Sequence, residues 1–304
     1  MKILGSILNI IGIQFLLLTS RLPLSILYIL SDIIYIVLYR LIKYRIKIVR
    51  ENLLNSFPDK SELERTLIEK KYYKYLCDLL VESIKGFTIS EKELKKRMTF
   101  NDLDLIDQLY KDQKSAIIIM GHCGNWEWVC RSGPLFMKNR LVGVYKPLTN
   151  KHFDKLMNQA RTAFGVEQVP MAQIARYIMV QKTPFLLILI ADQSPSDKES
   201  SYWLNFLNQE TAVLPGAEKM AIKFNLPVYF TYVNCYKRGY YKCETKLLVE
   251  SNRKPSDGFI TTQHSQELEK RINEHPHNWL WSHRRWKLKK LPTHETTQSI
   301  EHTA

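Results

Sequence analysis

Two runs in this chain are apolar at every position: AIIIM (116–120) and FLLILIA (185–191). A strand with one face in water alternates apolar and polar side chains. A strand that is apolar throughout needs cover on both faces, as in a parallel sheet with helices on either side. LVGVY (141–145) and PVYFTYVN (227–234) read as further strands, and helix-like stretches fall between them at about 125–138, 150–163, 172–182 and 215–225. This alternation predicts an α/β fold with a central, mostly parallel sheet flanked by helices. YYKCETKLLVE (240–250) alternates more regularly and predicts an antiparallel partner, and a last helix over about 257–274 stops at Pro276. Upstream, residues 51–113 read as helical, with apolar and aromatic residues three and four apart and Ser90 as an N-cap before EKELKKR. No internal repeat is visible.

The first forty residues hold two more apolar runs, ILGSILNIIGIQFLLLT (3–19) and LPLSILYILSDIIYIVLY (22–39). Neither has the charged start and small-residue cleavage site of a removable signal peptide. Each is slightly shorter than the roughly 20 residues that cross a bilayer comfortably. Arg40, Lys43, Arg45, Lys47 and Arg50 follow with no acid among them. Basic residues beside an apolar run favour the cytoplasmic side and attract anionic headgroups. The pattern predicts an N-terminal membrane-anchoring helical segment with the remaining chain in the cytosol. It leaves open whether a helix spans or both lie in the interface. Core helices of a soluble protein are the competing reading.

Across the 304 residues, 44 Lys and Arg against 30 Asp and Glu give a net charge of +14, which calls for an anionic partner. No nucleic-acid module is recognisable, so anionic lipid or an acidic carrier fits better. Five scattered cysteines without a CxxC pair suit free thiols in a reducing compartment.

The chemistry concentrates in IIIMGHCGNWEWVC (117–130), where a strand meets a glycine turn and a new helix begins. Ligands of open α/β sheets bind at such carboxyl ends of strands. The residues alone leave three readings of His122: a satisfied core histidine, a metal ligand, or a base. His152, His264, His275, His277 and His283 are available as co-ligands, but no HExxH or paired-cysteine pattern is present. Cys123 reads as a small buried residue, with nothing nearby in sequence to lower its pKa. Glu127, five positions on, is about 140° off-face from His122 in a continuous helix. If the chain folds back at the turn, the carboxylate can fix the imidazole tautomer and leave the other nitrogen to take a proton. Amides at the start of the helix can donate to an anion.

GHCGNWEW resembles the H-x-x-x-x-[DE] motif of the bacterial lipid A late acyltransferase family, with Cys123 where phenylalanine is common. VYKPL (144–148) is similar to the family's Y-R-P block, with Lys146 for arginine, and RTAFG (161–165) to its R-x-x-x-G. ADQ (191–193) is similar to its strand-ending D-Q. FLNQETAVLPGAEKMA (206–221) resembles its F-F-G…A-x-x-x-G-P-A segment, with Asn208 for glycine and Pro215-Gly216 in reversed order. NWLWSHRRWK (278–287) resembles its closing Q-W-x-W-x-H-x-R-W-K.

The resemblance implies a glycerolphosphate-acyltransferase-like fold. It also implies transfer of a fatty acyl chain from an acyl carrier protein thioester to a hydroxyl of a lipid A precursor, at the cytoplasmic face of the inner membrane. His122 is then the general base and Glu127 orients it. Asn125, Tyr145, Lys146, Arg161, Asp192, Gln193, Gly216 and Arg284 contribute to substrate binding, with backbone amides near Gly124–Asn125, helped by Arg161, meeting the oxyanion and Asp192 building the site. The Trp279, Trp281 and Trp286 set reads as core rather than as an interface belt. No metal and no cofactor beyond the thioester donor is implied; the expected partners are acyl carrier protein, the anionic lipid acceptor and the membrane surface. The expected organisation is an anchor with its basic flank over 1–50, the acyltransferase domain over 51–290 and a polar tail over 291–304. Departures at Lys146, Asn208 and Pro215-Gly216 lie away from His122. They keep open an acylated amino-acid lipid or a glycolipid as acceptor. A non-catalytic lipid-binding protein is a rival from another class. A lipid hydrolase is a second, against which the absence of a G-x-S-x-G nucleophile elbow counts.

Overall fold

A computed structural model describes residues 2–252 and 255–290, with residues 2–10 described by their backbone alone; the expected tail over 291–304 lies outside the described residues. The chain begins with α1 (Lys2–Ser20) and α2 (Leu24–Tyr35), the latter continuing into a π-helical turn (Ile36–Leu41). Then come α3 (Ile46–Ser56), α4 (Glu62–Lys85), α5 (Glu91–Arg97), β1 (Met98–Phe100) and α6 (Leu103–Lys111). The alternating part comprises β2 (Ala116–Met120), α7 (Trp126–Ser132), β3 (Leu141–Tyr145), α8 (Lys151–Thr162), β4 (Glu167–Pro170), α9 (Ile174–Val180) and β5 (Leu186–Ile190). A hairpin, β6 (Tyr202–Phe206) and β7 (Gln209–Val213), precedes α10 (Gly216–Phe224), β8 (Val228–Lys237), β9 (Tyr240–Val249) and α11 (Phe259–Glu274).

The main sheet has seven strands in the order β1-β9-β8-β2-β5-β3-β4, parallel except for the β8–β9 pair. The two wholly apolar runs are its middle strands, β2 and β5, paired from Ala116↔Leu186 to Met120↔Ile190. Every residue of β2 is buried because alternate side chains enter two different cores. Ile118 and Met120 pack with Leu94, Ile106 and Trp128 from α5, α6 and α7, whereas Ile117 and Ile119 pack with Ile174, Ala221 and Ile260 from α9, α10 and α11. A third cluster joins α3 and α4 to Trp279, Trp281 and Trp286, which are 2%, 0% and 9% exposed and so belong to the core. α4 starts with a capping box between Ser61 and Glu64, and Ser90 caps α5 as its sequence predicts.

Helical periodicity over 51–113 conceals β1, three residues at one edge of the sheet, and β4 at the other edge has only four. The β6–β7 hairpin was not visible as strands either. Its two-residue turn puts Leu207 and Asn208 at φ 50° and 61°, where Asn-Gly or Asp-Gly would have announced it. Asparagine tolerates this left-handed backbone, so Asn208 can stand where the resemblance expects glycine.

Residues Leu24–Leu41 form one helix that is long and apolar enough to cross a membrane, by length and composition. One face of it docks on α4. Leu24 and Leu27 are buried beside Val81, the Ser31 hydroxyl donates to Asp78 Oδ1 at 2.6 Å, and Asp32 meets Arg238 at 2.8 Å. The opposite face leaves Ile26, Ile29, Ile33 and Ile36 exposed. The expected boundary at residue 50 falls inside α3, which packs against α4.

Candidate active site

Adjacent parallel strands in register deliver equivalent residues to the same place. Met120 and Ile190 are paired at the ends of β2 and β5, and His122 and Asp192 each lie two residues further on. Gly121 allows the close approach: a Cβ there would stand 2.8 Å from Leu268 Cδ1 and 3.2 Å from Asp192 Oδ2. Asp192 is 5% exposed and fully engaged. Its Oδ1 lies 2.5 Å from His122 Nδ1, while Oδ2 accepts from the His122 backbone N–H at 2.7 Å and from Trp279 Nε1 at 2.7 Å. An Nδ1–H held by a carboxylate leaves the Nε2 lone pair outward. The exposed Gln193 amide approaches that nitrogen at 3.2 Å. Trp126 meets the imidazole edge-on, with ring centroids 4.9 Å apart.

Burial disfavours the imidazolium, but the Asp192 charge and hydrogen bond outweigh it, with a smaller contribution from Glu127, and raise the His122 pKa. Burial likewise opposes ionisation of Asp192. His122 and the N–H donors of His122 and Trp279 prevail and hold the carboxyl well below the usual range. The result is an imidazole whose basicity is enhanced and whose tautomer is fixed.

The expectation that Glu127 orients His122 needs correction. Residue 127 is in the first turn of α7, and its carboxylate takes both Arg161 Nε at 2.9 Å and an Arg161 terminal nitrogen at 2.5 Å. Arg161 comes from the last turn of α8, so this pair ties two helices together beside the imidazole. The structure thus gathers His122, Asp192, Gln193, Glu127 and Arg161.

Asn125 has a different job from the one expected. It is 0% exposed, its Oδ1 caps α7 at Trp128 N–H, and its Nδ2 donates to Glu82 Oε2 at 2.7 Å, so it is committed to the fold. The Gly124 amide donates to Asn278 O at 3.2 Å, which takes it out of the expected oxyanion donors. Tyr145 ends β3, one strand beyond β5, and the exposed Lys146 follows on the same edge of the sheet. Gly216 opens α10 at an exposed position. Arg284 is exposed and lines a separate cleft with Glu51, Asn55 and Gln209. Its neighbour His283 is closer to the chemistry, because its Nε2 accepts from Ser194 N–H at 3.1 Å beside Gln193.

Two contributors escaped the sequence reading. Asp192 was expected in the site but not as the partner of His122; the signal lay in the equal offset of both residues from two equally apolar strands. Glu82, in the middle of a charged helix, is 0% exposed and accepts from Tyr28 Oη, Asn125 Nδ2 and Tyr241 Oη at 2.8, 2.7 and 2.5 Å. Burial pushes its carboxyl up to about 7. Cys123 is 2% exposed and burial pushes its thiol well up, which suits packing rather than nucleophilic attack.

The family model of the bacterial lipid A biosynthesis acyltransferases matches residues 1–288. The chain belongs to this family. No curated protein matches it at a significant level. The match runs from the apolar helices through the closing tryptophan segment, so it takes in all six motifs on which the resemblance rests. Membership makes the protein an acyltransferase of lipid A biosynthesis. Acyl transfer to a hydroxyl requires that the acceptor's proton be removed. Asp192 on His122 Nδ1 leaves Nε2 free of a carboxylate partner.

Proposed function

We propose that the protein transfers a fatty acyl chain from an acyl carrier protein thioester to a hydroxyl of a lipid A precursor, at the cytoplasmic face of the bacterial inner membrane. One observation carries this reading: Asp192 holds His122 Nδ1, and Nε2 faces an exposed amide rather than the core. In the reaction, Nε2 takes the acceptor hydroxyl's proton as the oxygen attacks the thioester carbonyl. The tetrahedral intermediate collapses, the C–S bond breaks, and the imidazolium returns the proton to the departing thiolate. Asp192 stabilises the imidazolium between these steps. Glu127 adds negative charge that favours the imidazolium, and Arg161, fixed by Glu127, brings a cation for the developing oxyanion.

Membrane attachment is supported by the exposed isoleucines of α2 and by the exposed Arg40, Lys43, Arg45 and Lys47 just after it. The polar docking of α2 on α4 favours a helix lying in the interface over one isolated in lipid. The basic surplus suits both an acidic carrier protein and a phosphorylated acceptor.

The test is purified full-length protein in lipid nanodiscs, given acyl carrier protein thioester and a hydroxyacylated disaccharide bisphosphate. The wild type adds one acyl chain to the lipid by mass spectrometry and His122→Ala does not. Equal transfer by folded His122→Ala would remove the base assignment.

A further inference from the structure

A cleft of about 520 Å³ opens beside Gln193, the neighbour of His122, within the roughly 300–1,000 Å³ typical of small-molecule sites. Its walls come from three elements that meet only in the fold: Leu38 from the π-helical turn after α2, Leu76 and Leu80 from α4, and Leu280 from the segment after α11. Gln193 and His283 line its polar end, and Gln193 is the residue in contact with His122 Nε2. Tyr44 and Arg45 also line the cleft. The cleft therefore joins the residue that contacts His122 Nε2 to the turn that ends the apolar N-terminal helix.

Resting on the acyltransferase reading above, we infer that this cleft receives an acyl chain of the anionic lipid acceptor, which enters from the membrane side. Three observations select that occupant. First, the apolar wall continues into the exposed apolar surface: Leu80 is 42% exposed, and Ile36, Leu41 and Ile42 stand exposed nearby in the chain at the end of the apolar helix. This apolar surface leads a hydrocarbon chain from lipid toward the cleft. Second, among the described residues the cleft's lining holds no acid, and Arg40, Lys43, Arg45 and Lys47 cluster in the stretch that contributes Tyr44 and Arg45 to it. Anionic headgroup phosphates are attracted there. Third, the polar end lies at the base. The Gln193 amide sits on Nε2, where an acceptor hydroxyl has to donate its proton.

The experiment fills the cleft and reads donor and acceptor separately. In Leu80→Trp, a bulky ring replaces a partly exposed side chain on the apolar wall. The apparent KM for the hydroxyacylated disaccharide bisphosphate rises at least tenfold, and the KM for the acyl carrier protein thioester stays within twofold. Leu280→Trp, in the segment after α11, behaves the same way and covers the case in which one variant folds poorly. An unchanged acceptor KM in a folded variant, or a rise confined to the donor, overturns the proposal. A second readout does not depend on turnover. The wild type is irradiated with the same lipid carrying a diazirine in one chain, and the label is mapped by peptide mass spectrometry. Label at residues 76–80 and 280–283 supports the cleft even if no acyl transfer is detected, so failure of the functional reading is seen separately. Label confined to other segments overturns the cleft.

Discussion

Replacing Asp192 by asparagine separates the two oxygens' tasks. Oδ2 accepts two N–H donors, from the His122 backbone and from Trp279 Nε1, each at 2.7 Å. The asparagine oxygen must take that position, because an amide nitrogen there would face two donors. Its NH2 group then faces His122 Nδ1 and donates to it. The imidazole is forced into the Nε2–H tautomer and cannot accept the acceptor's proton. The same inversion in Ser-His-Asp enzymes costs about 10⁴ in kcat, so a loss of about 10³–10⁴, or roughly 4–5 kcal/mol of barrier, is expected here. The fold survives, since each buried donor keeps an acceptor. Asp192→Ala differs: it strands two buried N–H groups at about 1–3 kcal/mol each and lowers the melting temperature as well. The assay is acyl transfer under saturating donor and acceptor, with ¹⁵N NMR of His122 to read the tautomer. Asp192→Asn with activity within threefold of wild type, or with Nδ1 still protonated, would refute the reasoning.

Two further predictions follow from charge. The raised His122 pKa means that the neutral base accumulates only above the ordinary histidine range, so kcat climbs with pH through a midpoint above 6.5. Glu127→Gln removes a charge that favours the imidazolium, which moves that acid limb to lower pH while the ¹⁵N signature of Nδ1–H persists; an unmoved limb would show that Glu127 does not act on His122 electrostatically. Glu82 links stability to pH. The unfolded chain releases its proton near 4.5 and the folded protein near 7, so between these values the native state binds more protons and stability falls as pH rises. The contribution is fully present below 4.5 and lost as pH passes 7, at most about 3 kcal/mol from 1.36 kcal/mol per unit. Thermal melts of the wild type therefore drop more steeply between pH 5 and 8 than those of Glu82→Gln, and parallel slopes would contradict the buried-carboxylate account.

Much of the architecture was legible because burial on both faces leaves no choice of side chain: β2 and β5 had to be apolar throughout, and the helices between strands keep their own period. The edges were not legible. β1 and β4 have three and four residues, too few to show alternation, and the Leu207-Asn208 turn lacks the usual glycine. In the site, the base was legible from its place after β2. Its partner was not, because spacing along the chain favours Glu127, five residues away, while the sheet's register delivers Asp192, seventy residues away. Asn125 misled for a similar reason. A polar residue beside a catalytic histidine invites a role in binding, and its capping of α7 and its contact with buried Glu82 emerge only in three dimensions.

The most direct measurement is mass spectrometry of membrane lipids from cells lacking the gene, complemented by wild type, His122→Ala or Asp192→Asn. The account predicts that lipid A loses one acyl chain on deletion, that the wild type restores it, and that neither variant does. Lipid A of unchanged mass in the deletion strain, or full restoration by His122→Ala, would contradict it.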